Sequence, residues 1–392
     1  MAMTATHTHA PAAFPSALIV IAAEVLGAAL LWGLLEANST PVVLALLGVM
    51  GAGFALMQIR PQIEDIIVGA FRAARGVALW VGILIVLTYP ILLGANTYAM
   101  HLVIVALLYS VLALALNFQL GSANIPNFAT GATYGIGAYT SALLAIHFGL
   151  SMWATLPAAA LVATAFGFLL GIPSMRTRDS YLALVTIAFG IVIHQMLNNL
   201  SWTGGPNGLV GIPAPSLFGH SFMQPIQFAG IRLPPQANFY YLALALLGLA
   251  ILSAKRLHES RIGLAWNAIR ADELAARSQG INVAWYKILA FAVDAFLAAF
   301  AGTIYAFYVS YISPDNFTFL VSVTIMTMVI VGGMDNTFGV IVGAFLLTLL
   351  PEKLRIFSDY RLLFVSVVVI LFLILRPKGL FPQRQRHYGA HK

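Results

Sequence analysis

The 392-residue sequence contains no cysteine and only 8% charged residues, and each shortage removes a class of function. Without cysteine there is no disulfide framework and no thiolate metal site. No lysine follows the glycine pattern of a phosphate-binding P-loop, so the chain does not cradle and hydrolyse ATP in that way. There is no HExxH pair and no GxSxG elbow, which leaves a catalytic reading without a metal or a nucleophile. No catalytic residue and no metal ligand set is therefore assigned. His7 and His9 with His387 and His391 come nearest to one, and tail histidines of this kind more often bind nothing. A soluble domain carries roughly 25% charged residues, so water is the wrong solvent to assume for this chain.

What is present is hydrophobic sequence, 60% of all residues. Apolar runs recur along the whole length, each close to the roughly 20 residues that a helix needs to cross about 30 Å of hydrocarbon. Helices satisfy their backbone from within one segment, and the alternation of a β-barrel is absent. The spans read from the sequence are 17–35, 41–58, 77–94, 98–118, 131–150, 152–171, 180–197, 238–254, 284–308, 319–332, 337–350 and 361–375. They predict an all-α, polytopic transmembrane helical bundle of about 10–12 spans, with re-entrant or broken helices where the segments are short. The first span contains Glu24 and follows an N-terminus without Lys or Arg, so it reads as a retained helix rather than a cleaved signal.

The net charge of +7 does not point to nucleic acid, because the basic residues sit in short loops between apolar runs rather than on one face. Topology accounts for them. With a cytoplasmic N-terminus, the stretches 59–76 (Arg60, Arg72, Arg75), 172–179 (Arg176, Arg178), 255–287 and the tail from 376 hold 16 of the 20 Lys and Arg. Arg232, Lys353, Arg355 and Arg361 fall on the other side, and this bias predicts both termini in the cytoplasm.

Two connections are longer than topology requires. The external segment 198–237 is rich in Gly, Pro and Asn and too broken to span, so it predicts a structured cap, with Gly204, Gly205, Asn207 and Gly208 as candidate vestibule or partner contacts. The cytoplasmic segment 255–283 reads as short helices, with Asp272 as an N-cap and Gly280 as a C-terminal stop. GGMDNTFG, between two 14-residue spans, and QLGSANIPNFATG, between the fourth and fifth spans, are either plain turns or bends around a pathway.

Ionisable groups inside spans are expensive and therefore informative. Glu24 has a neighbouring helix to pair with, and His194 lies near a span end. Asp294 falls about ten residues into its span, where snorkelling is difficult, and points to a pathway or a helix-pairing role. Asn127, Thr130 and Asn336, in the two irregular stretches, join it as candidate pathway positions. The pairs Gly131/Gly135, Gly167/Gly171, Ala298/Gly302 and Gly339/Gly343 have GxxxG-type spacing, read here as bundle packing.

Eight segments occur in an order that resembles a known family: ALALNFQLG (113–121), GIGAYTSALL (135–144), RTRDSYLALVTIAFG (176–190), TGGPNGLVGIP (203–213), RIGLAWNAIRADELAARSQGINVAWYKILAF (261–291), ISPDNFTF (312–319), VGGMDNTFGVIVGA (331–344) and RPKGLF (376–381). The chain is similar over about 98–382 to the M-type permease subunit of ABC importers for branched-chain amino acids, a group that includes urea and amide permeases. The organisation that follows is 1–97 as a tail with the first three transmembrane helices, 98–382 as the permease domain and 383–392 as a basic cytoplasmic tail.

The resemblance implies a permease that binds no cofactor itself, ATP and Mg being used by two cytoplasmic ATPase subunits. It also implies a second, H-type permease, a periplasmic solute-binding protein and a bacterial inner-membrane location. The loop Arg261–Lys287 looks like the cytoplasmic coupling loop, here with Glu273, Ala275, Ala276 and Gly280. In it Trp266, Ile269 and Leu274 are candidate anchors in an ATPase groove, and Arg270, Asp272, Glu273 and Arg277 candidate charges setting register. Two departures stand out. Where the family often has Phe-Gly-His this chain has Ala129 and Thr130, and where it usually has a small neutral residue this chain has Asp294. The rival reading is an ion-coupled secondary transporter using Asp294 or Glu24, and an intramembrane enzyme lacks any recognisable catalytic set.

Overall fold

The computed structural model describes residues 13–37, 39–94, 96–174, 179–217, 219–228, 231–354, 360–377 and 379–381. Arg176, Arg178, Arg355, Lys378, the histidines His7, His9, His387 and His391, and the tail 383–392 lie outside the described residues. The chain is helical almost throughout: α1 (Ala13–Glu36), α2 (Thr40–Ile59), α3 (Pro61–Ala73), α4 (Arg75–Leu93), α5 (Thr97–Asn117), α6 (Thr130–Phe148), α7 (Met152–Ser174), α8 (Asp179–Asn199), α9 (Gln236–Glu259), α10 (Arg261–Ala271), α11 (Glu273–Ser278), α12 (Val283–Val309), α13 (Phe319–Gly332), α14 (Thr337–Lys353) and α15 (Arg361–Leu375).

Each of the twelve spans read from the sequence coincides with a helix. Eight helical stretches among the described residues are long and apolar enough to cross a membrane. Helix α6 is not among them because of its Thr, Tyr and Ser content, yet it is buried along most of its length. Of its hydroxyls Thr130 reaches Asp294 of α12, while Thr133 and Ser141 donate to carbonyls of α6 itself. The stretch 61–73, expected as part of a cytoplasmic connection, is itself the helix α3.

The described residues divide into two compact units, those up to 100 together with those of 227–233, and those of 101–226 together with those from 234 onward. In the first, α1 packs on α2, α3 and α4. Val20, Ala70 and Ala74 form a small core, and Asn96 Nδ2 donates to Glu36 Oε1 at 3.0 Å. Glu24 lies beside Gly82, and its Oε2 has no partner among the described residues.

The second unit is organised around α12, which packs along α6 and α7. The small-residue pairs make this possible. A Cβ on Gly167 would lie 2.7 Å from the Phe291 carbonyl oxygen, and one on Gly171 2.8 Å from Ile288 Cα, so α7 and α12 touch through backbone. Gly339 and Gly343 bring α14 equally close to α13. At one end of α12 the described residues of 198–226, within the cap predicted for 198–237, form short turns and two-residue strands, of which Leu209–Val210 pairs antiparallel with Tyr311–Ile312. At the other end lie α10 and α11.

Candidate functional site

Two constellations lie along α12. The first is built on the break between α5 and α6. After Asn117 the helix widens into one π-helical turn, Phe118–Ser122, and residues 123–129 then run without regular structure until Thr130 opens α6. Buried irregular backbone must find partners, and this stretch finds them in side chains. Phe128 N–H donates to Thr186 Oγ1 of α8 at 3.1 Å, Ala129 N–H to Asn127 Oδ1 at 2.8 Å, and Gly131 N–H to Ser322 Oγ of α13 at 2.9 Å. QLGSANIPNFATG thus carries a π-helical turn at the end of α5 and an irregular run to α6.

Asp294 faces this break from α12, 1% exposed. Its Oδ2 accepts from Asn127 Nδ2 at 2.9 Å and from Thr130 Oγ1 at 3.0 Å. Three of the four candidate pathway residues therefore meet, although 164 to 167 positions separate Asp294 from the other two. Thr130 and Asp294, each singled out in the sequence on its own, are thus one contact. Asn336, the fourth, is elsewhere: its Oδ1 accepts from Gly339 N–H at 3.1 Å as the N-cap of α14, and its Nδ2 donates to the Phe381 carbonyl at 2.9 Å. His194 reaches Asp315 at 3.7 Å.

The second constellation is the loop at the N-terminal end of α12. Asp272 caps α11, its Oδ1 accepting from Leu274 N–H at 2.8 Å and Ala275 N–H at 3.0 Å, and Gly280 ends the turn in a left-handed conformation (φ 82°). Trp266 and Ile269, expected as anchors for a partner, are 1% and 5% exposed within the chain's own core, and Ala276 is 4% exposed. Trp266 Nε1 donates to the Tyr286 carbonyl at 2.9 Å. The apolar periodicity of α10 was legible, but not which side would be covered by this chain. Leu274 is 77% exposed and does face outward, with Ala275 and Arg277 beside it.

Glu273 is engaged inside the loop. Its Oε1 pairs with Arg277 at 3.0 Å and its Oε2 with Lys287 at 2.8 Å. Lys287 is 4% exposed, and a buried ammonium without a carboxylate is costly. Trp266→Ala is expected to destabilise the chain itself by about 3 to 5 kcal/mol, the range for emptying a buried aromatic site. A lowered thermal midpoint of the purified protein checks it, and an unchanged midpoint would return Trp266 to the partner surface.

Sequence reasoning missed the residue that joins these constellations. Asp335, in the turn between α13 and α14, has a left-handed backbone (φ 66°). Its carboxylate accepts from Ser122 Oγ at 2.9 Å and meets Arg270 of α10 at 3.3 Å and His258 of α9 at 3.5 Å. Its N–H donates to Asn117 Oδ1 at 2.8 Å. The segment 379–381 closes over the same turn, Leu380 N–H donating to Val331 and Phe381 N–H to Gly332. A cavity of about 180 Å³ lies between the break (Asn124, Ile125) and the loop (Arg270, Asp272, Glu273, Lys287). The signal available was an aspartate inside a glycine-rich turn between two short spans.

At the other end, Gly204, Gly205, Asn207 and Gly208 form consecutive tight turns. A Cβ on Gly208 would lie 2.8 Å from Ser313 Cα, so this position holds the cap against 311–317. Asn207 is exposed; Gly205 is buried.

A family model, branched-chain amino acid transport system / permease component, matches residues 98–375. The chain belongs to this permease family. It is 38% identical over 313 residues to the high-affinity branched-chain amino acid transport system permease protein LivM of Escherichia coli K12, covering 76% of this chain and 73% of that protein. The LivM protein of Salmonella typhimurium is 40% identical over 289 residues, covering 70% and 68%. The Escherichia coli K12 permease protein LivH is also similar, at 26% over 290 residues, covering 69% of this chain and 90% of LivH. No solved structure matches. The chain is thus a multi-pass permease of a transport family, not a member of a catalytic one.

Proposed function

We propose that this permease is one of two membrane-spanning subunits of an ATP-driven importer in the bacterial inner membrane, carrying a branched-chain amino acid toward the cytoplasm. ATP and Mg are used by two separate cytoplasmic ATPase subunits, and a periplasmic solute-binding protein delivers substrate to the cap 198–237. The observation that carries the reading, beside the family, is the loop α10–α11. It offers an exposed Leu274 flanked by charge on its outer side, while its inner side is tied through Arg270 and Asp335 to the break between α5 and α6. Such a loop can pass a displacement inward, because ATP and loaded binding protein shift the equilibrium only by contacting its states differently.

Purification of the tagged chain from its native membrane in mild detergent is expected to recover a second permease and one or two ATPases, with hydrolysis stimulated by the binding protein. Recovery of this chain alone, active in gradient-driven flux without ATP, would replace the reading by ion-coupled transport through Asp294. Leu274→Glu is the sharper test of the loop. Burying a leucine is worth roughly 1.5 to 3 kcal/mol, so ATPase affinity is expected to fall about tenfold or more with the thermal midpoint of the permease unchanged. Equal ATPase recovery would place the docking surface elsewhere. Glu273→Lys is less clean, since it also leaves Lys287 beside a like charge.

A further inference from the structure

The contact between Asp294 and the break leaves one oxygen over. Asp294 Oδ1 is buried and has no hydrogen-bond partner among the described residues, and the same holds for Gln119 Oε1. Gln119 is 0% exposed, and its amide orientation is set because Nε2 donates to the Ala290 carbonyl at 3.1 Å. In a continuous helix that carbonyl also accepts the Asp294 N–H, four residues on. The two orphaned atoms thus belong to side chains anchored on the same turn of α12, and both are acceptors. Each buried orphan represents a desolvation penalty of about 1 to 3 kcal/mol, and more for a charged group. Asn127 and Thr130 hold Oδ2 with two hydrogen bonds, and both are neutral donors. A positively charged group with several hydrogens would satisfy both oxygens at once.

We propose that Asp294 Oδ1 and Gln119 Oε1 receive the ammonium group of the transported amino acid, with Asn127 and Thr130 as positioning residues that hold the carboxylate. This rests on the transport reading above and deepens it by naming the part of the substrate the membrane subunit recognises. An ammonium brings three donors and one positive charge, which matches one carboxylate oxygen and one amide oxygen. The irregular segment 123–129 is the element whose movement admits it, since unwound backbone beside a buried charge is how transporters build sites within a bundle.

The test is thermal unfolding of the purified permease, with whatever subunits co-purify and without binding protein, in the presence of leucine, 3-methylbutylamine, 4-methylpentanoate or sodium chloride. Leucine and the amine are expected to raise the midpoint by about 2 °C or more at saturation, and the carboxylate analogue and sodium to leave it unmoved. Asp294→Asn should abolish the shift, Asp294→Glu should retain part of it, and Gln119→Leu should raise the concentration needed about tenfold. A shift that persists in Asp294→Asn, or that 4-methylpentanoate matches, overturns the proposal. A shift matched by sodium overturns it in favour of an inorganic cation site. Amine binding is read on this chain whether or not an ATPase is recovered, so its failure is distinct from failure of the importer reading.

Discussion

Gly302→Leu is expected to deplete the folded protein from the membrane, whereas Gly248→Leu should accumulate normally. The two glycines differ only in what surrounds them. A Cβ at Gly302 would overlap the Tyr134 carbonyl oxygen and lie 2.9 Å from Ala138 N, while one at Gly248 meets nothing within 4 Å. The obstructing atoms at Gly302 are backbone of α6, so no side-chain rotation relieves them, and α6 must move away from α12. Overpacking typically costs about 1 to 3 kcal/mol where side chains can shift, and more is expected where they cannot. A gap of 0.5–1 Å already forfeits about a quarter to a half of each dispersion contact, and α6 meets α12 along much of its length. Membrane-fraction blotting and size-exclusion profiles of the two variants check this. Normal accumulation of Gly302→Leu would show that α6 and α12 do not pack as described.

Asp335→Ala is expected to lower uptake at least tenfold while leaving ATP hydrolysis measurable. The expectation does not rest on the Arg270 pair alone. The Arg270 side chain is 37% exposed, and an ion pair of that kind is worth about 0 to 1 kcal/mol. It rests on the Asp335 carboxylate joining the π-helical turn, α9 and α10 together, whereas its backbone N–H keeps Asn117 of α5 in either variant. A tenfold change corresponds to about 1.4 kcal/mol, within the usual range of coupling energies between distant sites. Asp335→Asn should fall between, since an amide keeps an acceptor for Ser122 and tolerates the left-handed backbone. A double-mutant cycle with Arg270→Ala separates the terms, and strict additivity would mean that the two residues do not act through each other. If uptake and hydrolysis fall in proportion in Asp335→Ala, the turn supports assembly rather than transmission.

Both predictions concern places where distant parts of the chain meet, and they mark how legible the protein was. The pairs Ala298/Gly302 and Gly167/Gly171 identified themselves by spacing, because close helix approach demands small residues at every fourth position. Which helix each would meet did not follow from spacing. Asp294 was conspicuous as a carboxylate deep in an apolar run, and Asn127 and Thr130 as polar residues in an irregular stretch, but nothing local joined them.

What the sequence determined by itself is what lipid and backbone geometry impose locally. The spans follow from hydropathy, since a helix in hydrocarbon satisfies its own backbone. The start of α11 at Asp272 and its stop at Gly280 follow from capping chemistry within a few residues, and the breaks at 118–129 and 333–336 from sequences that no helix accommodates well. Tertiary structure decided the rest. It turned Trp266 and Ile269 inward and left Leu274 outside, because one face of α10 is covered by α9, α12 and Phe118. It made Asp335 a junction through Ser122, 213 positions away, and set Asn127 and Thr130 on Asp294. Such contacts depend on how helices are arranged around α12, and a sum over bundle packing is not written at any single position of the chain.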